Sequence, residues 1–189
     1  MSGQIIWFKD CSYENKHLVG GKCSSLGELH AISRRIGFSI GDGFAITTEM
    51  YDEFVEHNNL GPKIEEMLAT INIEDIKELE EKTKELRNII SAAALTESQI
   101  VTIKQSYQDL CKLYCRDNIE VAVRSSALAE DLPNASFAGQ HDSYLNVVGE
   151  NSLLTSVTEC FASLFNSRAV SYRKTHNIQL SDVKISVAV

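Results

Sequence analysis

Residues 119–126 read Ile119-Glu120-Val121-Ala122-Val123-Arg124-Ser125-Ser126. Ile119, Val121 and Val123 alternate with Glu120, Ala122 and Arg124, the period of two that marks a β-strand. The strand is expected to end on an arginine and two hydroxyls. In an α/β layout ligands gather at the carboxyl ends of strands. An arginine there can grip a phosphate with two parallel hydrogen bonds. The alternative is an arginine paired with Glu130 or Asp131 across the loop.

Downstream, Ser125 to Asn134 is polar and reads as a loop. Phe137 to Val148 can form one or two strands around Gly139. The small residues of Ala135-Ser136-Phe137-Ala138-Gly139-Gln140-His141-Asp142-Ser143 make a turn that can lie over a polyphosphate. Its N–H groups and the Ser143 hydroxyl could donate to phosphate oxygens. The alternative is an ordinary hairpin with a solvated His141. Leu153–Phe165 and Ala169–His176 read as helices, and Val183–Val189 as a strand. A sequence that stops within a strand, with no polar tail, is expected to be a piece of something longer.

Upstream, about Gly61 to Asp117 is charged, helical in period, and reads as an insertion or spacer. Three helices are expected there: Leu60 to about Ala69, Ile73 to about Ala93 behind Asn72 as N-cap, and one opening on the capping box Thr96-Glu97-Ser98-Gln99. Before them lie a short apolar stretch, Ile5–Phe8, and Gly20-Gly21-Lys22 at the start of a helix. Amides at a helix start favour an anion, and a lysine adds a point charge. The full spacing of a Walker loop is absent. Leu26, Leu29, Ile32 and Ile36 form the apolar stripe of this helix, and Gly37 ends it. Gly41-Asp42-Gly43 is a turn, Phe44–Thr47 a strand, and Glu49–His57 a helix.

The 189 residues are 43% hydrophobic and 23% charged, within the globular range. A formal net charge of -8 disfavours a nucleic-acid binder. No stretch reaches the ~18 apolar residues of a membrane span, and the N-terminus lacks the features of a secretory signal. Cys11, Cys23, Cys111, Cys115 and Cys160 are odd in number and scattered, which fits free thiols in a reducing cytoplasm. Cys111 and Cys115 share a helix face, with no second Cys/His pair near them to complete a metal site.

Four blocks then stand together: Leu18–Glu28, Gly43–Thr47, Ala122–Gln140, and Phe161–Ala169 followed by Tyr172-Arg173. In order and length they resemble the ATP-binding domain of the phosphoenolpyruvate synthase (pyruvate, water dikinase) family. The resemblance covers nearly the whole chain. It implies an α/β (α+β) fold: the N-terminal part of an ATP-grasp type nucleotide-binding domain, with a helical insertion at about 60–117. Pyruvate, phosphate dikinase and rifampicin phosphotransferase share this domain. In the family a histidine on a mobile central domain takes the β-phosphoryl group of ATP, leaving AMP and phosphate, and passes it to an acceptor such as pyruvate.

By motif match, Lys22 and Arg124 would hold ATP phosphates, Gly139 would lie in the loop covering them, and Ser143 would replace a usual threonine. Glu130 and Asp131 would order the loop. No catalytic or metal residue is implied within this chain. The Mg2+ ligands, most adenine contacts, the phosphohistidine domain and the pyruvate-binding barrel would lie beyond it, so the chain alone is expected to be inactive. A homodimer of the full-length enzyme fits the resemblance. Gly41 replaces a usual proline and Leu128 a usual threonine, while none of the five histidines sits in a phosphohistidine motif. Two other functions compete: a rifampicin phosphotransferase, whose loop resembles Gln140–Tyr144 equally well, and a stand-alone nucleotide- or partner-binding module.

Overall fold

The computed structural model describes residues 3–128, 131–132, 135–136, 142–176, 178 and 183–189. Strand β1 (Ile5–Trp7) passes through a short 3-10 turn, Phe8–Asp10, to helix α1 (Lys16–Ile36). Strand β2 (Phe44–Ile46) and helices α2 (Thr48–His57), α3 (Leu60–Thr70), α4 (Ile76–Ser91) and α5 (Glu97–Leu113) follow. Then come β3 (Glu120–Ala127), the two-residue strands β4 (Asp131–Leu132) and β5 (Ala135–Ser136), and β6 (Ser143–Val148). Helices α6 (Glu150–Ser163) and α7 (Ser167–Thr175) precede β7 (Ile185–Ala188).

Five strands form one sheet in the order β1-β2-β7-β3-β6, and each neighbouring pair is antiparallel. The mixed helix–strand composition agrees with the expected class, but the carboxyl-end rule for parallel strands does not apply here. Arg124 is not at a strand end either: β3 continues to Ala127, so the expected loop begins later than Ser125.

The central strands β2 and β7 bury both faces, and the two faces differ in side-chain size. On one face Phe44, Ile46, Val123, Ile185 and Val187 join Met50, Phe54, Leu153, Val157 and Phe161 in the main core. The ring of Phe161 meets those of Tyr51 and Phe54, each at 5.2 Å between centroids. Leu79, Leu86 and Ile90 of α4, and Ile103, Tyr107 and Leu110 of α5, belong to the same core. The helical middle is therefore packed into the fold and is not a detached spacer. Tyr107 ties it down further, donating to the Ile119 carbonyl at 2.7 Å and accepting from the Gly149 amide at 3.0 Å.

The other face carries α1 over small residues: Ala45 and Ala188 pack with Val19 and Cys23. Of the expected stripe of α1, Leu26 packs against this core and the rest turns away from it. Leu29, Ile32 and Ile36 are 45%, 43% and 69% exposed. The buried seam is Val19, Cys23, Gly27 and His30, at the three- and four-residue spacing of one helix face. A sheet floor of alanine and serine lets the helix backbone come close at Gly20, while Gly27 packs against the chain after the 3-10 turn, where a Cβ would stand 1.9 Å from the Cys11 carbonyl oxygen.

Local chemistry explains the helix ends. Gly37 closes α1 in the left-handed conformation (φ 80°), its N–H bonding the Ser33 carbonyl. The capping box at Thr96 and Gln99 is present as expected. The second helix of the middle starts later than Ile73: Asp75 is the cap, accepting from the amides of Lys77 and Glu78. Asn72 instead accepts from the Glu74 amide in a preceding turn.

Candidate functional site

Register sets a row across the α1 face of the sheet. Ile6 pairs with Ala45, Ala45 with Ala188, Ala188 with Arg124, and Arg124 with Ser143. Residues directly opposite in antiparallel strands point to the same face. The first three pack under α1. Arg124 and Ser143 emerge beyond it, both exposed.

The serines beside Arg124 have other duties. Residue 126 is two along from 124 and so shares its face. Ser126 is fully buried, and its Oγ accepts the amide of Lys22 at 3.1 Å and of Cys23 at 3.4 Å. It donates to the Val19 carbonyl at 3.0 Å, and Ser186 Oγ donates to the same carbonyl. Between these anchors Gly20 takes φ 74°, ψ 173°, breaking α1 after its first turn. The helix proper thus starts at the glycine pair, as its sequence suggests. Its Lys22 and Cys23 amides, however, are spoken for by Ser126, and are not offered to an anion. Ser125 is buried on the opposite face, its Oγ donating to the Asp142 carbonyl at 3.3 Å.

What the kink does offer is the Lys22 side chain. Lys22, Gly21, Ser25, Leu26 and Leu29 of α1, with Arg124 and Ala188 of the sheet, line one cavity of about 390 Å³. The structure thus brings Lys22 and Arg124 together, with Ser143 on the strand next to Arg124. A second cavity of about 540 Å³ shares Leu26, Arg124 and Ala188, and runs on between Phe8, Leu110, Tyr114, Val121 and Val189. Its rim at Gly41 and Asp42 is held by His30, whose Nε2 bonds Asp42 Oδ1 at 3.0 Å. The Asp42 amide donates to Tyr114 Oη at 2.8 Å, which steadies the turn that has Gly41 in place of proline.

Gly139, Glu130 and His141 lie outside the described residues, as does the Asp131 side chain. Among the described residues Arg124 has no carboxylate partner within ion-pair distance. Among the described residues no three His, Cys, Asp or Glu side chains gather around a common point. All five cysteines are free thiols. Burial pushes the Cys160 thiol well up, helped by the Asp142 and Glu159 carboxylates, so it stays protonated near neutrality.

The fourth sequence block is structural. Phe161 and Phe165 are core residues. Arg173, 4% exposed, lies over the Phe165 ring at 5.3 Å and donates to the Leu164 carbonyl, fastening α7 to the turn after α6. Its burial lowers its own pKa to about 10. Sequence reading passed over two groups: Ser126, which fixes the kink, and Asp142, which meets Arg87 of α4 at 2.8 Å.

Comparison with known proteins fits this geometry. The profile of the family described as "Pyruvate phosphate dikinase, AMP/ATP-binding domain" matches residues 16–189. A probable phosphoenolpyruvate synthase of Methanothermobacter thermautotrophicus is 39% identical over 98% of this chain and 26% of its own length. The phosphoenolpyruvate synthases of Aquifex aeolicus and Helicobacter pylori are 39% and 40% identical, again over 98% of this chain, and over 22% and 23% of their own lengths. The chain thus spans about a quarter of these relatives. With the matched profile running from the first turn of α1 through the kink to Val189, the chain belongs to the pyruvate phosphate dikinase AMP/ATP-binding domain family.

Proposed function

We propose that this chain is the ATP-binding part of a phosphoenolpyruvate synthase-type enzyme, one that turns ATP, pyruvate and water into AMP, phosphoenolpyruvate and phosphate. The phosphohistidine and the pyruvate site would sit in parts of the protein outside this sequence. The observation that carries the reading is the shared lining of one cavity by Lys22 and Arg124, with Ser143 opposite Arg124. Phosphoryl transfer depends on positioning and charge neutralisation more than on covalent chemistry from the protein, and two cations with a hydroxyl supply both.

In this reading Lys22 acts as a point charge on the polyphosphate and Arg124 as a planar fork that fixes its orientation. Ser143 donates its hydroxyl to a phosphate oxygen, and Gly139 lies in the covering loop. The wider apolar cavity beside Arg124 suits the flat face of the adenine. The nucleotide would be clasped in the ATP-grasp manner, by this lobe and a second one. Mg2+, when bound to the phosphates, would offset their charge; the described residues offer no ligand cluster for it. A cytoplasmic enzyme, working as a homodimer, completes the proposal.

Lys22→Ala and Arg124→Ala in the complete enzyme test it. Both are expected to abolish ATP-dependent AMP formation while the far-UV circular dichroism stays unchanged. Full turnover in both variants would sink the assignment.

A further inference from the structure

Strand β6 does not pair with β3 in one unbroken register. Glu120 and Val121 pair with Val148 and Val147, whereas Val123 and Arg124 pair with Tyr144 and Ser143. Ala122 therefore faces two residues, Leu145 and Asn146, and Asn146 takes φ 58°. This is a β-bulge. A bulge uncouples the strand on its two sides, so the pairing at Val121 does not dictate the pairing at Arg124. A slip of one residue there would turn Ser143 to the other face of the sheet.

Something else must hold the start of β6, and three elements converge on the residue before it. Arg87 Nη2 of α4 donates to Asp142 Oδ2 at 2.8 Å. Ser125 Oγ of β3 donates to the Asp142 carbonyl at 3.3 Å. Tyr144 Oη approaches the same carboxylate at 3.5 Å. The Asp142 side chain is drawn toward α4 and the Ser125 face of the sheet. Its successor Ser143 then points the opposite way, toward Arg124. The Nε atom of Arg87 is enclosed and has no acceptor among the described residues, and the guanidinium holds Asp142 through Nη2.

We propose that Arg87 and Asp142 are positioning residues that clamp the register of β6 and so keep the Ser143 hydroxyl beside Arg124 for the ATP polyphosphate. The proposal rests on the phosphate site described above. It gives the helical middle a role in nucleotide binding, although α4 contributes no residue to the cavity that holds Lys22 and Arg124.

The test uses the complete enzyme, with ATP and pyruvate varied separately. Arg87→Leu is expected to raise the KM for ATP severalfold, up to the roughly tenfold of losing the Ser143 hydroxyl itself, since small misplacements of a binding group have effects of that size. The KM for pyruvate should not change. Combining Arg87→Leu with Ser143→Ala should add less than about twofold to the effect of Ser143→Ala alone, because both act through one hydroxyl. A general loss of structure would not show that saturation. Asp142→Asn, which keeps the shape and drops the charge, should reproduce the ATP defect if Arg87→Leu fails to fold. An unchanged KM for ATP in both variants overturns the clamp, as does a full-sized effect of Arg87→Leu on top of Ser143→Ala. Lys22→Ala run in parallel separates the two levels. If that variant keeps its AMP formation, the phosphate site itself fails and the clamp fails with it.

Discussion

Replacing Gly20 with alanine tests the packing of α1 directly. Gly20 has φ 74° and ψ 173°, a region open essentially to glycine, where another residue is strained by about 1–3 kcal/mol. The new Cβ would also lie 2.1 Å from the Ser126 carbonyl oxygen and 2.4 Å from its Oγ. Relieving such an overlap in a packed region costs about 1–3 kcal/mol more. The sum is a loss of about 2–6 kcal/mol, which for a chain of this size lowers Tm by about 4–24 °C. Urea unfolding followed by circular dichroism measures it. The obstacle closest to the Cβ is backbone, so Ser126→Ala in the same chain should give no rescue. That second change would instead leave the Lys22 and Cys23 amides without their acceptor, a further loss of about 1–3 kcal/mol. A loss below about 1 kcal/mol for Gly20→Ala, or rescue by Ser126→Ala, would refute this account of the kink.

Three other outcomes are expected. Burial raises the Cys11 thiol from its ordinary 9.0 to about 12, with Cys23 and Asp10 adding to it. A group whose pKa is raised by folding stabilises fully below its unfolded pKa and loses that contribution as pH climbs. Stability should therefore fall between pH 9 and 12, and Cys11→Ala should flatten the slope in pH-dependent denaturation. Thr96→Ala removes one half of the capping box and should lower unfolding stability by about 1 kcal/mol. Ser143→Thr keeps the hydroxyl, so the KM for ATP of the complete enzyme should stay within about threefold of the parent, while Ser143→Ala raises it about tenfold, the size of one charge-assisted hydrogen bond.

Features that depend on neighbours in the chain were legible in the sequence. Gly37 stops α1 through its own positive φ, and Thr96 with Gln99 caps α5, because both devices act within one turn. Lys22, Arg124 and Ser143 were legible as residue types suited to phosphate. Their meeting was not, since it depends on β7 pairing Ala188 with Arg124 and on α1 crossing that row. The role of Ser126 was hidden for the same reason: its bond to the Lys22 amide spans 104 residues. The stripe of α1 misled because hydrophobicity marks an apolar face without saying what lies under it. Here the floor is alanine and serine, and small residues on the helix won the contact. Asp142 looked like a loop residue, and only the bulge at Asn146 shows why it needs an anchor.

The sheet order has a consequence for how the domain is made. β7, the latest of its strands in the sequence, is inserted between β2 and β3. Until residues 185–188 leave the ribosome, β1–β2 and β3–β6 are separate pairs, each with a bare edge. At about 5–20 residues per second that interval covers nearly the entire synthesis of this region. Long-range pairing of this kind is slow to form, so the nascent chain spends those seconds with Lys22 and Arg124 not yet brought together and two strand edges open to improper partners. A premature stop anywhere before Ile185 would leave the sheet in two halves, whatever else of the sequence had been translated.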